Sequence, residues 1–224
     1  MSHSFSLPGV VEKASQLDLA VIVPTLNEHV TIANVLQSIA ENLQSIRYTI
    51  CVVDAGSTDG TLEIINDLSK QNSNIFLIHQ VKEKSGCQRG AGSRMALEWL
   101  MKNTSHTVFT EVDSDGAHSV KELMNGVVTI SLSNFDVVIA SKYVYGSQVI
   151  GRSFYRRTIS YCYSQLARML FHRGLKDYSN SYRFYSLKAA QHILAMKPMF
   201  TSPMYLFEML ATCLSNQLKM VELP

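Results

Sequence analysis

Apolar residues in this chain come in short unbroken runs, each closed by a cluster of small, polar or acidic residues. The first run, Leu19 to Val23, is stopped by Pro24, the pattern of a strand buried on both faces that ends in a loop. Ile32, Val35, Leu36, Ile39 and Leu43 then recur at helical spacing. "YTICVVDAGSTDGT" predicts a second strand broken by turn residues. Leu62, Ile65 and Leu68 mark a second helix, which Asp59 or Thr61 can cap. "NIFLIHQ" predicts a third strand, "AGSRMALEWLMKN" a third helix and "HTVFTEVDSD" a fourth strand. This strand, loop, helix alternation predicts an α/β fold with a parallel, doubly wound sheet.

After "DVVIASKY" (136–143), one more strand-to-polar transition, the pattern changes. "YRRTISYCYSQLARMLFHRG" is a basic, aromatic-rich helical stretch, "DYSNSYRFYS" a polar loop, and "MVEL" near the end has strand character. No repeat or low-complexity linker separates the halves, so a single domain over 1–224 is expected. Little chain follows "MVEL" to finish another unit, so a C-terminal continuation is expected too.

Composition narrows the options only slightly. The 224 residues are 46% hydrophobic, enough for one substantial core. A formal charge of +2 gives no reason to expect a nucleic-acid partner. Cys51, Cys87, Cys162 and Cys213 lack C-x-x-C spacing and read as buried hydrophobes in a reducing, cytoplasmic compartment. No run reaches the ~18 apolar residues of a membrane span, so any membrane role acts through peripheral contact with the cytoplasmic face.

In a sheet of this kind ligands bind beyond the carboxyl ends of the strands. Three polar clusters are expected there: "PTLNE" (24–28), "DAGSTDGT" (54–61) and "DSD" (113–115). Asp113 and Asp115, spaced i, i+2 on an extended segment, can converge on a hard divalent cation, or serve as turn residues and caps. Gly56, Ser57 and Gly60 offer backbone N–H groups, and Asp54 can accept from a base or ribose, although a tight capped loop explains the same residues. Asn27 and Glu28 could hold ribose hydroxyls or merely form a turn. His118 is either a metal ligand or a capping histidine. "GCQRGAGSRM" resembles a phosphate loop only loosely, because no Lys-Ser/Thr pair follows.

Taken together, "PTLNE", "VVDAGSTDGT", "RGAGSRMA", "DSD" and "ASKY" resemble, in order, the motifs of the family-2 nucleotide-sugar glycosyltransferases of GT-A fold. The second half is most similar to the polyprenyl-phosphate mannosyltransferases within that family. Arg156 with Ser160 corresponds to that group's helix-opening Arg and Ser, and "DYSNSYRFY" to its D-x-T-S-G-F-R-x-Y segment, matching Asp177, Ser181, Arg183 and Tyr185. The resemblance implies a Rossmann-like, mostly parallel sheet flanked by helices, with a nucleotide-sugar half at about 19–115 and an acceptor half at about 116–224. Pro24, Thr25, Asn27, Glu28, Asp54, Gly56, Gly90, Asp113 and Lys142 would then bind the donor. Mg²⁺ or Mn²⁺ would sit on Asp113 and Asp115, with His118 completing its shell. Asp115, Arg156, Ser160 and Arg183 would carry the reaction.

The implied activity is inverting, metal-dependent transfer from GDP-mannose or UDP-glucose to a polyprenyl or dolichyl phosphate. Several residues depart from the pattern: Ala55 replaces the usual second acid, Lys142 an arginine, Asn180-Ser181-Tyr182 the T-S-G-F run, and Ala117 a polar residue. A rival reading is a family-2 enzyme with a saccharide or protein acceptor, which predicts an acidic base; Asp177 is the candidate. Others are a nucleotide-binding module without catalysis and, more remotely, a flavodoxin-like electron carrier. The oligomeric state is not legible.

Overall fold

A computed structural model describes residues 17–80, 87–147, 154–171 and 174–224, without the side chains of Phe154, Arg156, Arg157 and Phe171. The predicted alternation is present: β1 (Asp18–Thr25), α1 (Ile32–Asn42), β2 (Arg47–Asp54), α2 (Thr61–Gln71), β3 (Ile75–His79), α3 (Arg89–Asn103) and β4 (Val108–Glu111). Then follow a 3₁₀ turn (Val120–Glu122), α4 (Leu123–Leu132), β5 (Val137–Ala140), α5 (Phe154–Phe171), β6 (Arg183–Ser186), α6 (Leu187–Ala195), α7 (Tyr205–Ser215) and β7 (Met220–Leu223).

The seven described strands form one mostly parallel sheet in the order β3-β2-β1-β4-β6-β5-β7. Only β6 runs against its neighbours β4 and β5. The polar segment expected to be loop thus supplies a central strand. Arg183 is fully enclosed there and donates to the carbonyls of Leu206 (2.6 Å) and Tyr178 (3.0 Å).

Strand alternation divides the core into two layers. Leu19, Val21 and Val23 of β1 face α1 and α4, packing with Ile32, Leu36, Ile39, Leu123 and Val127. Ala20 and Ile22 face the other way, with Leu97 and Leu100 of α3, Ile193 of α6 and Leu210 of α7. Buried on both faces, β1 reads as an unbroken apolar run.

α5 has an unusual distribution. It buries Ser160, Ser164 and Ala167 and leaves Tyr155, Ile159, Leu166, Met169 and Leu170 exposed. Its small residues face inward and its large apolar ones outward, the reverse of an ordinary surface helix. No described helix is long and apolar enough to cross a membrane.

Candidate active site

β1, β2 and β4 are neighbouring parallel strands, so the loops leaving their carboxyl ends lie side by side. The antiparallel β6 brings residues 177–182 to the same edge, beside the loop that leaves β5. Hydrogen bonds join these loops. Asn27, in the left-handed region at φ 55°, donates its N–H to Ser57 Oγ (2.9 Å) and accepts from the N–H of Thr58 (2.9 Å). The Glu28 N–H donates to Thr61 Oγ1 (2.9 Å), and Thr31 Oγ1 to Glu28 Oε2 (3.0 Å). Ser114 Oγ donates to the Pro24 carbonyl (2.9 Å), tying "PTLNE" to "DSD".

Several expected donor-site residues are spent on this architecture. Asp54 is fully buried and accepts from the N–H groups of Gly56 (2.8 Å) and Ser57 (2.9 Å) and from the Ser57 hydroxyl. It shapes the turn in which Gly56 adopts φ +92°. Thr25 is buried and donates to the Val23 carbonyl (3.1 Å). Gly90 lies in the first turn of α3 rather than in a phosphate loop; a Cβ there would stand 2.6 Å from Tyr205 Cβ. Asn27 and Gly56 are exposed, and Glu28 and Pro24 half-buried, along the rim.

The two D-x-D acids do not share a strand face. β4 ends at Glu111, and Ser114 and Asp115 turn away, so the pair diverges in burial. Asp115 is exposed, and one of its oxygens accepts the Ala117 N–H (2.9 Å). Asp113 points inward, ion-paired with Arg89. Its N–H donates to His118 Nδ1 (3.1 Å), so the ring proton sits on Nε2, 3.3 Å from Asp113 Oδ2 and 3.3 Å from Ser181 Oγ. His118, stacked on Tyr182 with centroids 4.6 Å apart, therefore has both nitrogens engaged. Its burial, above all, lowers its pKa and favours this neutral form. Burial works to raise the Asp113 carboxyl, but the charge and hydrogen bond of Arg89, with a hydrogen bond from Ser181, help hold it below the ordinary carboxylate value.

Among the described residues no three His, Cys, Asp or Glu side chains converge to hold a metal ion unaided. The exposed carboxylate of Asp115, two residues from Asp113 in the same loop, is a hard oxygen donor of the kind a divalent cation takes, and a phosphate ligand and water could supply further oxygens. Sequence patterns missed three members of this centre: Arg89, Glu111 and Tyr205. Glu111 was signalled by a carboxylate inside the apolar run "VFTEV"; Tyr205, 94 residues further on, had no local signal.

A second cluster lies in the loops after β5 and before β6. Asp177, fully buried, accepts the N–H groups of Lys142 (3.0 Å), Ser179 (2.8 Å) and Asn180 (3.1 Å) and the Ser179 hydroxyl (2.9 Å). Lys142 Nζ lies 3.3 Å from its carboxylate and donates to Ser179 Oγ (3.0 Å), to which Ser160 Oγ also donates (3.0 Å). Burial tends to raise the Asp177 carboxyl, yet Lys142 and these donors bring it below its ordinary value. Arg183 is placed as a clamp within the protein rather than as a phosphate contact. The Arg156 side chain lies outside the described residues.

Comparison with known proteins gives a family and a fold. The model of "Glycosyl transferase family 2" matches residues 20–194. A dolichol-phosphate mannosyltransferase of Pyrococcus furiosus is 32% identical over 144 residues, covering 64% of this chain and 38% of that protein. A polyprenol monophosphomannose synthase of Mycolicibacterium smegmatis is 26% identical over 197 residues, covering 84% of this chain and 72% of that one. The glucosyl-3-phosphoglycerate synthase of Mycobacterium tuberculosis, solved with Mn²⁺ and UDP-glucose, superposes with a TM-score of 0.66 at 18% identity, over 99% of this chain and 74% of its own.

Proposed function

The chain belongs to glycosyl transferase family 2, and on that premise we propose that it moves a hexose from a nucleoside diphosphate sugar, GDP-mannose or UDP-glucose, to a polyprenyl phosphate with inversion. The observation that carries the acceptor class is the state of Asp177. A hydroxyl acceptor needs a general base with an accessible lone pair. Asp177, the acid of the second half suited by sequence, is enclosed, paired with Lys142 and surrounded by N–H and O–H donors. A phosphate monoester, with a second pKa of about 6, arrives already ionised and needs no base.

In this reading a phosphate oxygen attacks the anomeric carbon in line, the new C–O bond forms, and the bond to the diphosphate breaks with its electrons leaving on the nucleotide. Asp115 and Asp113 would hold a divalent cation, which when bound supplies Lewis-acid neutralisation of the leaving diphosphate. The rim formed by Pro24, Asn27, Glu28 and Gly56 faces the nucleoside. Lys142 and Ser160, held together through Ser179, place a cation and a hydroxyl where the acceptor half meets the donor half, and Arg156 opens the same helix as Ser160.

The outward apolar face of α5 supports an acceptor carried on an apolar chain. Ile159, Leu166, Met169 and Leu170 would rest against a membrane surface, with Arg168 suited to anionic headgroups. The names of the Pyrococcus and Mycolicibacterium relatives point to the same acceptor class, and the neighbour solved with Mn²⁺ and UDP-glucose to the same kind of donor. The test is a panel of nucleotide sugars with Mn²⁺, scoring product on a short polyprenyl phosphate. Transfer to a sugar hydroxyl with none to the lipid phosphate would refute the acceptor assignment; donor binding with no transfer to any acceptor would refute catalysis.

A further inference from the structure

Glu111 has no part in the chemistry above, yet it holds a carboxylate at 5% exposure on the apolar underside of the site. Alternation along β4 turns it to the same face as Phe109, where α3 and α7 pack. Arg89 donates to one of its oxygens through Nε (2.9 Å) and Nη2 (2.5 Å). The Tyr205 hydroxyl lies 2.5 Å and 2.7 Å from the two oxygens. The same Arg89 Nη2 reaches Asp113. One guanidinium is therefore divided between two carboxylates, and the outer one belongs to the D-x-D loop.

Close packing fixes this arrangement. The Tyr205 side chain occupies the space that a Cβ on residue 90 would need, and the Gly90 N–H donates to the Thr201 carbonyl (2.8 Å). The start of α7 is thereby held against the start of α3, next to Arg89. Charge gives the arrangement a consequence. Glu111, Asp113 and Asp115 against Arg89 leave two negative charges, a match for a divalent cation. Were Glu111 uncharged, the guanidinium would turn to Asp113 alone and cancel the charge a cation needs.

We propose that Glu111 is a positioning residue that takes a share of the charge of Arg89 from Asp113, and that Tyr205, whose O–H holds the Glu111 carboxylate in place beside Arg89, is a second, so that α7 tunes the affinity of the D-x-D loop for a divalent cation. This rests on the reading that Asp113 and Asp115 hold that cation.

The experiment is Mn²⁺ titration of the full chain, read by the EPR signal of free Mn²⁺, with and without saturating GDP or UDP. Glu111→Gln is expected to weaken Mn²⁺ binding about tenfold, and Tyr205→Phe, which keeps the ring packing, about threefold. Adding Arg89→Gln to Glu111→Gln should bring affinity back to within about threefold of the unmodified chain, because the competing cation is gone. A purely structural role for Glu111 gives no such recovery; a double variant as weak as the single one overturns the proposal. So does Mn²⁺ affinity unchanged in both Glu111→Gln and Tyr205→Phe, and if Glu111→Gln does not fold, an unchanged Tyr205→Phe alone overturns it. Asp115→Ala separates the two levels. If it binds Mn²⁺ as well as the unmodified chain, or if that chain binds none, the D-x-D reading falls and this inference with it. If Asp115→Ala loses Mn²⁺ while Glu111→Gln keeps it, only the positioning role falls.

Discussion

The ammonium of Lys142 lies 3.3 Å from Asp177, a carboxylate with no exposed surface. A charge so placed depends on its partners, and removing one side of a buried pair typically costs about 3–5 kcal/mol. Asp177→Asn keeps the shape but removes the charge and replaces one acceptor oxygen by a donor. It is expected to lower unfolding free energy by about 3 kcal/mol, measured by urea denaturation. If Asp177 were instead a catalytic base, the variant would keep its stability and lose kcat, and kcat would show an acidic limb in its pH profile.

The contrast between Asp54 and Glu111 shows what local sequence could and could not reveal. Asp54 closes a strand buried on both faces, so an apolar run followed by turn residues announces both the strand and the loop at the ligand-binding edge. The same logic located β1, β2, β3 and the D-x-D segment. Arg183–Ser186 escaped it, because the groups that satisfy Arg183 are carbonyls of Tyr178 and Leu206 supplied by tertiary packing. Glu111 left only the sign of a carboxylate inside an apolar run, and Tyr205 none, because their bond joins two halves of the chain. The spacing of Asp113 and Asp115 did not show their geometry, since β4 stops at Glu111 and the acids lie beyond the strand, where the chain turns.

Two glycines are predicted to be intolerant of a methyl group. A Cβ on Gly90 would stand 2.6 Å from Tyr205 Cβ, and one on Gly126 would overlap the Phe184 ring. Gly126 lies within α4, where alanine would otherwise be favoured by about 1 kcal/mol. Overpacking should reverse that sign, so Gly126→Ala and Gly90→Ala should each destabilise by about 1–3 kcal/mol, read as a lower urea midpoint. A raised midpoint in either would contradict the packing.

The exposed face of α5 predicts a membrane-binding phenotype separable from folding. Leu166→Glu with Met169→Glu replaces two exposed apolar side chains by charges repelled from anionic lipid. Sedimentation with vesicles containing phosphatidylglycerol should show binding reduced at least about tenfold, since each buried side chain of this size is worth about 1.5–3 kcal/mol. The urea midpoint should stay within error, because neither side chain packs in the core. Vesicle binding equal to that of the unmodified chain would remove the membrane assignment of this face.

At the opposite end of the sheet, Asp18 gives a pH dependence of known sign. Burial pushes its carboxyl up, but the His106 ring 3.4 Å away and hydrogen bonds from the Thr107 N–H and Arg47 outweigh burial and bring it down to about 2 from 3.8. A folded-state pKa below the unfolded one means that the unfolded chain binds the proton first. The stabilisation is therefore complete above about pH 4 and is lost as pH falls towards 2, amounting to about 2 kcal/mol at neutral pH. The side chain is only 5% exposed, so solvent screening takes little from this. Asp18→Asn should lie below the unmodified chain by about that amount at pH 7. Chemical denaturation at a series of pH values should show the gap closing between pH 4 and 2 while it stays flat from 5 to 7. A gap that is constant down to pH 2 would mean that the loss comes from altered packing around Thr107 and not from the carboxylate charge.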